Sequence, residues 1–154
     1  MVIGSYSVSV DSKGRIFVPS RWRDDYGDTL ILMRGLSVNP DEHFITVMSV
    51  EEFERFAGDL NSVRYADSRY NDAARQVLQF AFDSQIDTKG RISVNSRLLE
   101  YAGISTQAVA VATRNKCFEI WEPDSLAAKN AAYTQIDSSR DMQKRADELE
   151  QAGK

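Results

Sequence analysis

Apolar and polar positions alternate on both sides of a short polar turn near the start of the chain. Val8 and Val10 alternate with Ser7 and Ser9, and Ile16 and Val18 resume the alternation after the turn. Period two predicts half-buried strands over 5–10 and 15–18. Residues 20–25 read as a short helix capped by Ser20 and ended by Gly27. Thr29-Leu30-Ile31-Leu32-Met33 and Phe44-Ile45-Thr46-Val47-Met48 are continuous apolar runs of strand length, buried on both faces. Gly35 and Asn39-Pro40 punctuate the turn between them. Ser49-Val50-Glu51-Glu52 has the spacing of a capping box, and Phe53, Phe56, Ala57 and Leu60 follow at helical spacing. A second helix over about 68–82 places Tyr70, Ala73, Ala74, Val77, Leu78 and Ala81 on one face. These two helices are too apolar for a free linker.

The same order then begins again. Strands are predicted near 84–87 and 91–94, a helix over 96–101 with Ser96 as its cap, and strands over 108–112 and 118–121. Pro123-Asp124-Ser125 opens a further helix from Leu126 to about Ile136, interrupted at Ser138-Ser139. Residues 140–151 read as a charged helix with Met142, Ala146 and Leu149 on one side; periodicity leaves open whether 137–154 is ordered or packs on another subunit.

The recurrence extends to the letters. Val10-Asp11-Ser12-Lys13-Gly14-Arg15-Ile16-Phe17-Val18-Pro19-Ser20-Arg21 returns as Ile86-Asp87-Thr88-Lys89-Gly90-Arg91-Ile92-Ser93-Val94-Asn95-Ser96-Arg97. The offset is constant, 87 − 11 = 76 and 97 − 21 = 76. An ungapped match of this length marks a tandem duplication. Gly14 and Gly90 suit a positive φ. Asp11 and Asp87 either accept backbone N–H groups across the turn or hold the arginine four residues on. Each turn therefore presents a lysine and an arginine from a compact tip: Lys13 with Arg15, and Lys89 with Arg91. One such turn alone reads as scaffold with solvated charges; two at equivalent positions favour a functional role.

Charge adds a constraint. The 154 residues carry a net charge of −4, which on its face disfavours nucleic acid. The distribution is uneven: +1 over 1–37, −5 over 38–83, +2 over 84–121 and −2 over 122–154. The motif-bearing segments are the basic ones, so converging tips still offer a positive face. A single copy would bind weakly. One cysteine, Cys117, and one histidine, His43, exclude an intrachain disulfide and a Cys/His zinc cluster. No cofactor or metal is implied. No apolar run reaches membrane-span length and no signal-peptide pattern opens the chain, so a cytoplasmic protein is expected.

With the duplication in hand, the chain resembles the MraZ family of bacterial transcriptional regulators over roughly residues 4–135. The carrying residues are the block Gly4 to Arg15, the second Asp87-Thr88-Lys89-Gly90-Arg91, and Phe118-Glu119-Ile120-Trp121. The resemblance implies an α+β fold: two AbrB-like swapped-hairpin (double-psi type) halves interlocked as one pseudo-twofold β-barrel, with helices outside. It implies repeats over 5–48 and 84–122, a helical connector over 49–82, and C-terminal helices or tail over 123–154. It further implies a ring-shaped homo-oligomer in the cytoplasm, associated with the nucleoid. The family binds short direct repeats of double-stranded DNA upstream of its own division and cell wall gene cluster. DNA contact falls on Lys13, Gly14 and Arg15, then on Lys89 and Arg91, with Asp11, Asp87 and Gly90 shaping the motifs. Asn95 stands where the family often keeps a second proline, opposite Pro19.

Two other classes compete. An AbrB-type antitoxin would bind a protein partner as well as DNA; only the last stretch of the chain could serve as its partner-binding tail. An enzyme needs chemistry that the sequence lacks: there is no phosphate loop, no paired catalytic carboxylate and no nucleophile–base pattern. Asp24-Asp25 and Glu51-Glu52 read as solvated helix starts.

Overall fold

The computed structural model describes residues 1–37, 39–61, 67–114, 116–133 and 135–153. They form two compact units, Met1–Pro123 and Asp124–Lys154.

The first unit is a mixed α+β structure. Among the described residues eight strands are formed: β1 Ser5–Ser9, β2 Arg15–Phe17, β3 Thr29–Arg34, β4 Ile45–Ser49, β5 Phe82–Gln85, β6 Arg91–Ser93, β7 Gln107–Arg114 and β8 Cys117–Trp121. Six make one antiparallel sheet in the order β1-β7-β8-β4-β3-β5, and β2 pairs with β6 as a separate ribbon. The sheet is open, with β1 and β5 at its edges, and no closed barrel is formed among the described residues. The hairpins β3–β4 and β7–β8 stay within their own halves, whereas β1 pairs with β7 and β5 with β3. Each half thus lends its first strand to the other. The pairing Val8↔Ala108 mirrors Ser84↔Leu30, so beyond the tips the second half has gained two residues (108 − 30 = 78).

Both faces of the sheet are covered, which is why every residue of β4 is buried. On one face Leu30, Leu32, Ile45, Val47, Phe118 and Ile120 pack with Ile16, Ile92, Trp22 and Leu98 from the ribbon and the turns beyond it. On the other, Met33, Met48 and Cys117 pack against Phe53, Phe56, Val77 and Ala81 of the two connector helices, α1 Val50–Asn61 and α2 Ser68–Leu78, and of the turn that follows α2. The part of the connector at 62–66 lies outside the described residues.

Several local expectations need correction. The α2 helix stops at Leu78 because Phe82 is already paired with Leu32 in the sheet. Ser49 accepts the Glu52 N–H at 3.1 Å, but the Glu52 carboxylate turns to Arg55 at 3.2 Å, so only half of the capping box forms. The helix expected over 20–25 is a single 3₁₀ turn, Arg23–Asp25, without a side-chain cap; Ser20 caps nothing. Its counterpart α3, Ser96–Tyr101, is a true helix capped by Asn95, whose side chain accepts from Arg97 N at 2.9 Å. Pro19 has no side-chain acceptor at that position, and this separates the two halves. Gly103 takes the left-handed φ of a helix end (+67°); Gly27 does not, because Tyr26 leaves the 3₁₀ turn already extended.

In the second unit, α4 spans Pro123–Ala131 and α5 spans Gln135–Ala152. The break falls between 131 and 135, and the backbone runs helical through Ser138 and Ser139. The Tyr133 hydroxyl donates to the Asp141 carboxylate, and Met142 and Leu149 are exposed.

Candidate nucleic-acid interface

Each tip is closed by one aspartate. Asp11 N–H donates to Arg15 O at 3.0 Å and Gly14 N–H to Asp11 O at 3.0 Å, which shapes the tight turn. Asp11 Oδ1 accepts Lys13 N and Arg15 N, both at 2.9 Å, while Oδ2 accepts Arg15 Nε at 2.7 Å. The second tip repeats this bond for bond. Asp87 Oδ1 accepts Lys89 N and Arg91 N at 2.9 Å, and Oδ2 accepts Arg91 Nε at 2.8 Å. Both sequence alternatives for the aspartate hold at once: it braces the turn and it holds the arginine. Gly14 and Gly90 stand at φ +74° and +85°, where a β-carbon is strained.

The electrostatics follow from these contacts. The Arg15 backbone N–H, with smaller help from the Arg15 side chain and Lys13 N–H, holds the Asp11 carboxyl below its ordinary value; Asp87 is lowered in the same way by Arg91 and Lys89. The carboxylates are spent inside the turns, leaving the lysines to face outward. Lys13 and Lys89 are exposed, and neither ammonium has a partner among the described residues. Arg15 and Arg91 are more enclosed, 29% and 19% exposed, each pinned through Nε. An arginine fixed at Nε keeps its terminal nitrogens in one plane for an incoming acceptor.

The tips sit at opposite ends of the β2–β6 ribbon, where Ile16 faces Ile92 and Arg15 faces Ser93. Each is stitched to the other half. Val94 N–H donates to Gly14 O at 2.8 Å, and Val18 N–H to Gly90 O at 3.0 Å. Two exposed arginines absent from the predicted site follow, in the chain, the segments that make these contacts. Arg97 lies between Ser96 and Leu99, which line a groove of about 760 Å³ with Ser12, Lys13 and Gly14. Arg21 lies between Val18 and Arg23, which both meet the second tip. Their recurrence at the 76-residue offset was a signal available in the sequence.

Arg23 carries a second surprise. Its guanidinium covers Gly90 so closely that a β-carbon there would lie 2.1 Å from its central carbon, and its Nε donates to Val18 O at 2.8 Å. At Gly14 the corresponding neighbours are Val94 O at 3.0 Å and a Leu99 methyl at 3.5 Å.

Comparisons with known proteins divide the chain into the same two halves. A family model described as "MraZ protein, putative antitoxin-like" fits the chain twice, over residues 1–76 and 77–149. The chain belongs to the MraZ family. The chain is 31% identical over 141 residues to the protein named transcriptional regulator MraZ of Paenarthrobacter aurescens, covering 89% of this chain and 94% of the relative. Against the protein of the same name from Micrococcus luteus, identity is 30% with the same coverage. The namesake in Mycoplasma mobile is 28% identical over 152 residues, 99% of this chain and 98% of its own length.

The residues that could have suggested other chemistry have packing roles. Cys117 is buried in β8, and burial pushes its thiol up. His43 stacks on Tyr101 at 4.5 Å. Among the described residues no group of three or more His, Cys, Asp or Glu side chains is placed to hold a metal, and no helix is long and apolar enough to cross a membrane.

Proposed function

We propose that this chain is a sequence-specific DNA-binding regulator of transcription without enzymatic activity. The observation that carries the reading is the pair of Lys-Gly-Arg tips, built by the same hydrogen bonds at both ends of one ribbon. Lys13 and Arg15 enter the major groove, where Arg15 pairs two-pronged with guanine. Gly14 lets the backbone approach, and Lys89 and Arg91 hold phosphates. Asp11, Asp87 and Gly90 keep the tips in shape. The regulator acts in the cytoplasm on the nucleoid, as a ring of identical subunits on short direct repeats upstream of its own gene cluster. Repetition supplies the affinity that one acidic subunit lacks. The same reading treats 5–48 and 84–122 as swapped-hairpin halves joined by the 49–82 connector, supported by the exchange of β1 and β5. The names of the relatives, all transcriptional regulators, point the same way.

A second reading keeps the DNA tips and adds a protein partner, as in an antitoxin. The wording of the family description favours it, and the 123–154 segment, with Met142 and Leu149 exposed on α5, is where such a partner would sit.

Fluorescence anisotropy on DNA from just upstream of the gene tests the main reading, with wild type, Arg15→Ala and Arg91→Ala at two salt concentrations. Binding should be tight and salt-sensitive. Arg15→Ala should weaken it by about 1–3 kcal/mol per site. Unchanged binding by Arg15→Ala would contradict the assignment.

A further inference from the structure

The ribbon carries a feature that charge does not explain. Arg15, Phe17, Arg91 and Ser93 share its outer face, because Ile16 and Ile92, each 1% exposed, occupy the inner one. Phe17 is 51% exposed, directly opposite Arg91 and two residues from Arg15. Its counterpart at the 76-residue offset is Ser93, which lies opposite Arg15. Lone exposed apolar residues are ordinary. This one stands on a basic face, paired with one pinned arginine and two residues from the other, on a two-stranded ribbon of the kind that a major groove admits.

We propose that Phe17 is a specificity-determining contact: its ring packs on the 5-methyl group of a thymine in the major groove. The half carrying Phe17 then selects thymine at one position, and the half carrying Ser93 does not. The arginines set where the ribbon lies, and the ring reads a feature that only thymine offers there. The inference rests on the DNA-binding reading above.

The test replaces thymines of the upstream duplex with deoxyuridine, singly and together, which removes only the methyl group. Wild type should bind the substituted duplex about fourfold more weakly at the contacted position, the worth of one buried methyl. Phe17→Ser, which copies the residue of the other half and leaves the core intact, should bind the thymine duplex that much more weakly. It should no longer distinguish the two duplexes. Its salt dependence should match wild type, because no phosphate contact is lost. Equal binding of both duplexes by wild type, or full discrimination by Phe17→Ser, would overturn the inference. If Arg15→Ala still weakens binding in that same titration, only the Phe17 contact falls. If Arg15→Ala binds like wild type, the reading beneath it falls as well.

Discussion

The two tips have the same internal geometry and different neighbours. Inside, Asp11 and Asp87 make matching bonds to within 0.1 Å at the arginine Nε. Outside, Gly14 lies under a leucine methyl and an open groove, while Gly90 lies under the guanidinium of Arg23. The contrast separates two levels of determination. Asp-x-Lys-Gly-Arg builds its own turn from residues within five positions. What surrounds the turn comes from the opposite half, across the ribbon, and there the halves have diverged.

The largest expected effects probe what lies beneath each tip. Trp22 and Leu98 are equivalent at the 76-residue offset and are 0% and 1% exposed. Trp22→Ala should cost about 3–5 kcal/mol and Leu98→Ala about 2–5 kcal/mol in urea unfolding at fixed protein concentration. A small loss in either would mean that its half is not held by the shared core.

Next come the glycines. Gly14→Ala should cost about 1–2 kcal/mol for the left-handed φ. Gly90→Ala should cost more, since it also displaces Arg23 from Val18 O. In an Arg23→Ala background the cost of Gly90→Ala should fall to that of Gly14→Ala, and strict additivity would contradict the packing.

Acid should act on both tips alike. The Asp11 and Asp87 carboxyls are held below the ordinary aspartate value, so their bonds stabilise the fold above that value, and the contribution is lost as pH falls through the lowered values. Thermal melts should show wild type well above Asp11→Asn/Asp87→Asn at pH 7, with the gap closing in acid below the ordinary aspartate range. A gap unchanged at low pH would mean that the charge of these carboxylates adds nothing.

Much of this was legible in the residues. The duplication, the tip-forming letters, the paired hairpins and α3 all follow from spacing and local chemistry. The strand exchange was implied by the family resemblance but not legible in the periodicity, because period two says that Val8 lies in a strand and nothing about Ala108 as its partner. Nor was the failure of the first post-tip helix, which turns on Pro19 lacking the acceptor that Asn95 supplies. The arginines of the candidate site were named from sequence, but the arrival of Arg23 over Gly90 depends on a contact across the ribbon. Ser138 and Ser139 suggested a break that the helix ignores, since two weak helix formers do not end eighteen residues of otherwise suitable sequence.

The central claim is that both tips engage DNA, Lys13 with Arg15 in the major groove and Lys89 with Arg91 on phosphates. The most direct measurement is the slope of log affinity against log salt for wild type, Lys13→Ala, Lys89→Ala and the double variant on the upstream DNA. Lys89→Ala should lower the slope by about one per bound subunit with uniform weakening across sequences, Lys13→Ala should weaken binding to the upstream DNA more than to unrelated sequence, and the double variant should show both effects. Slopes equal to wild type would show that the duplicated turn is scaffold and that DNA, if bound, lies elsewhere.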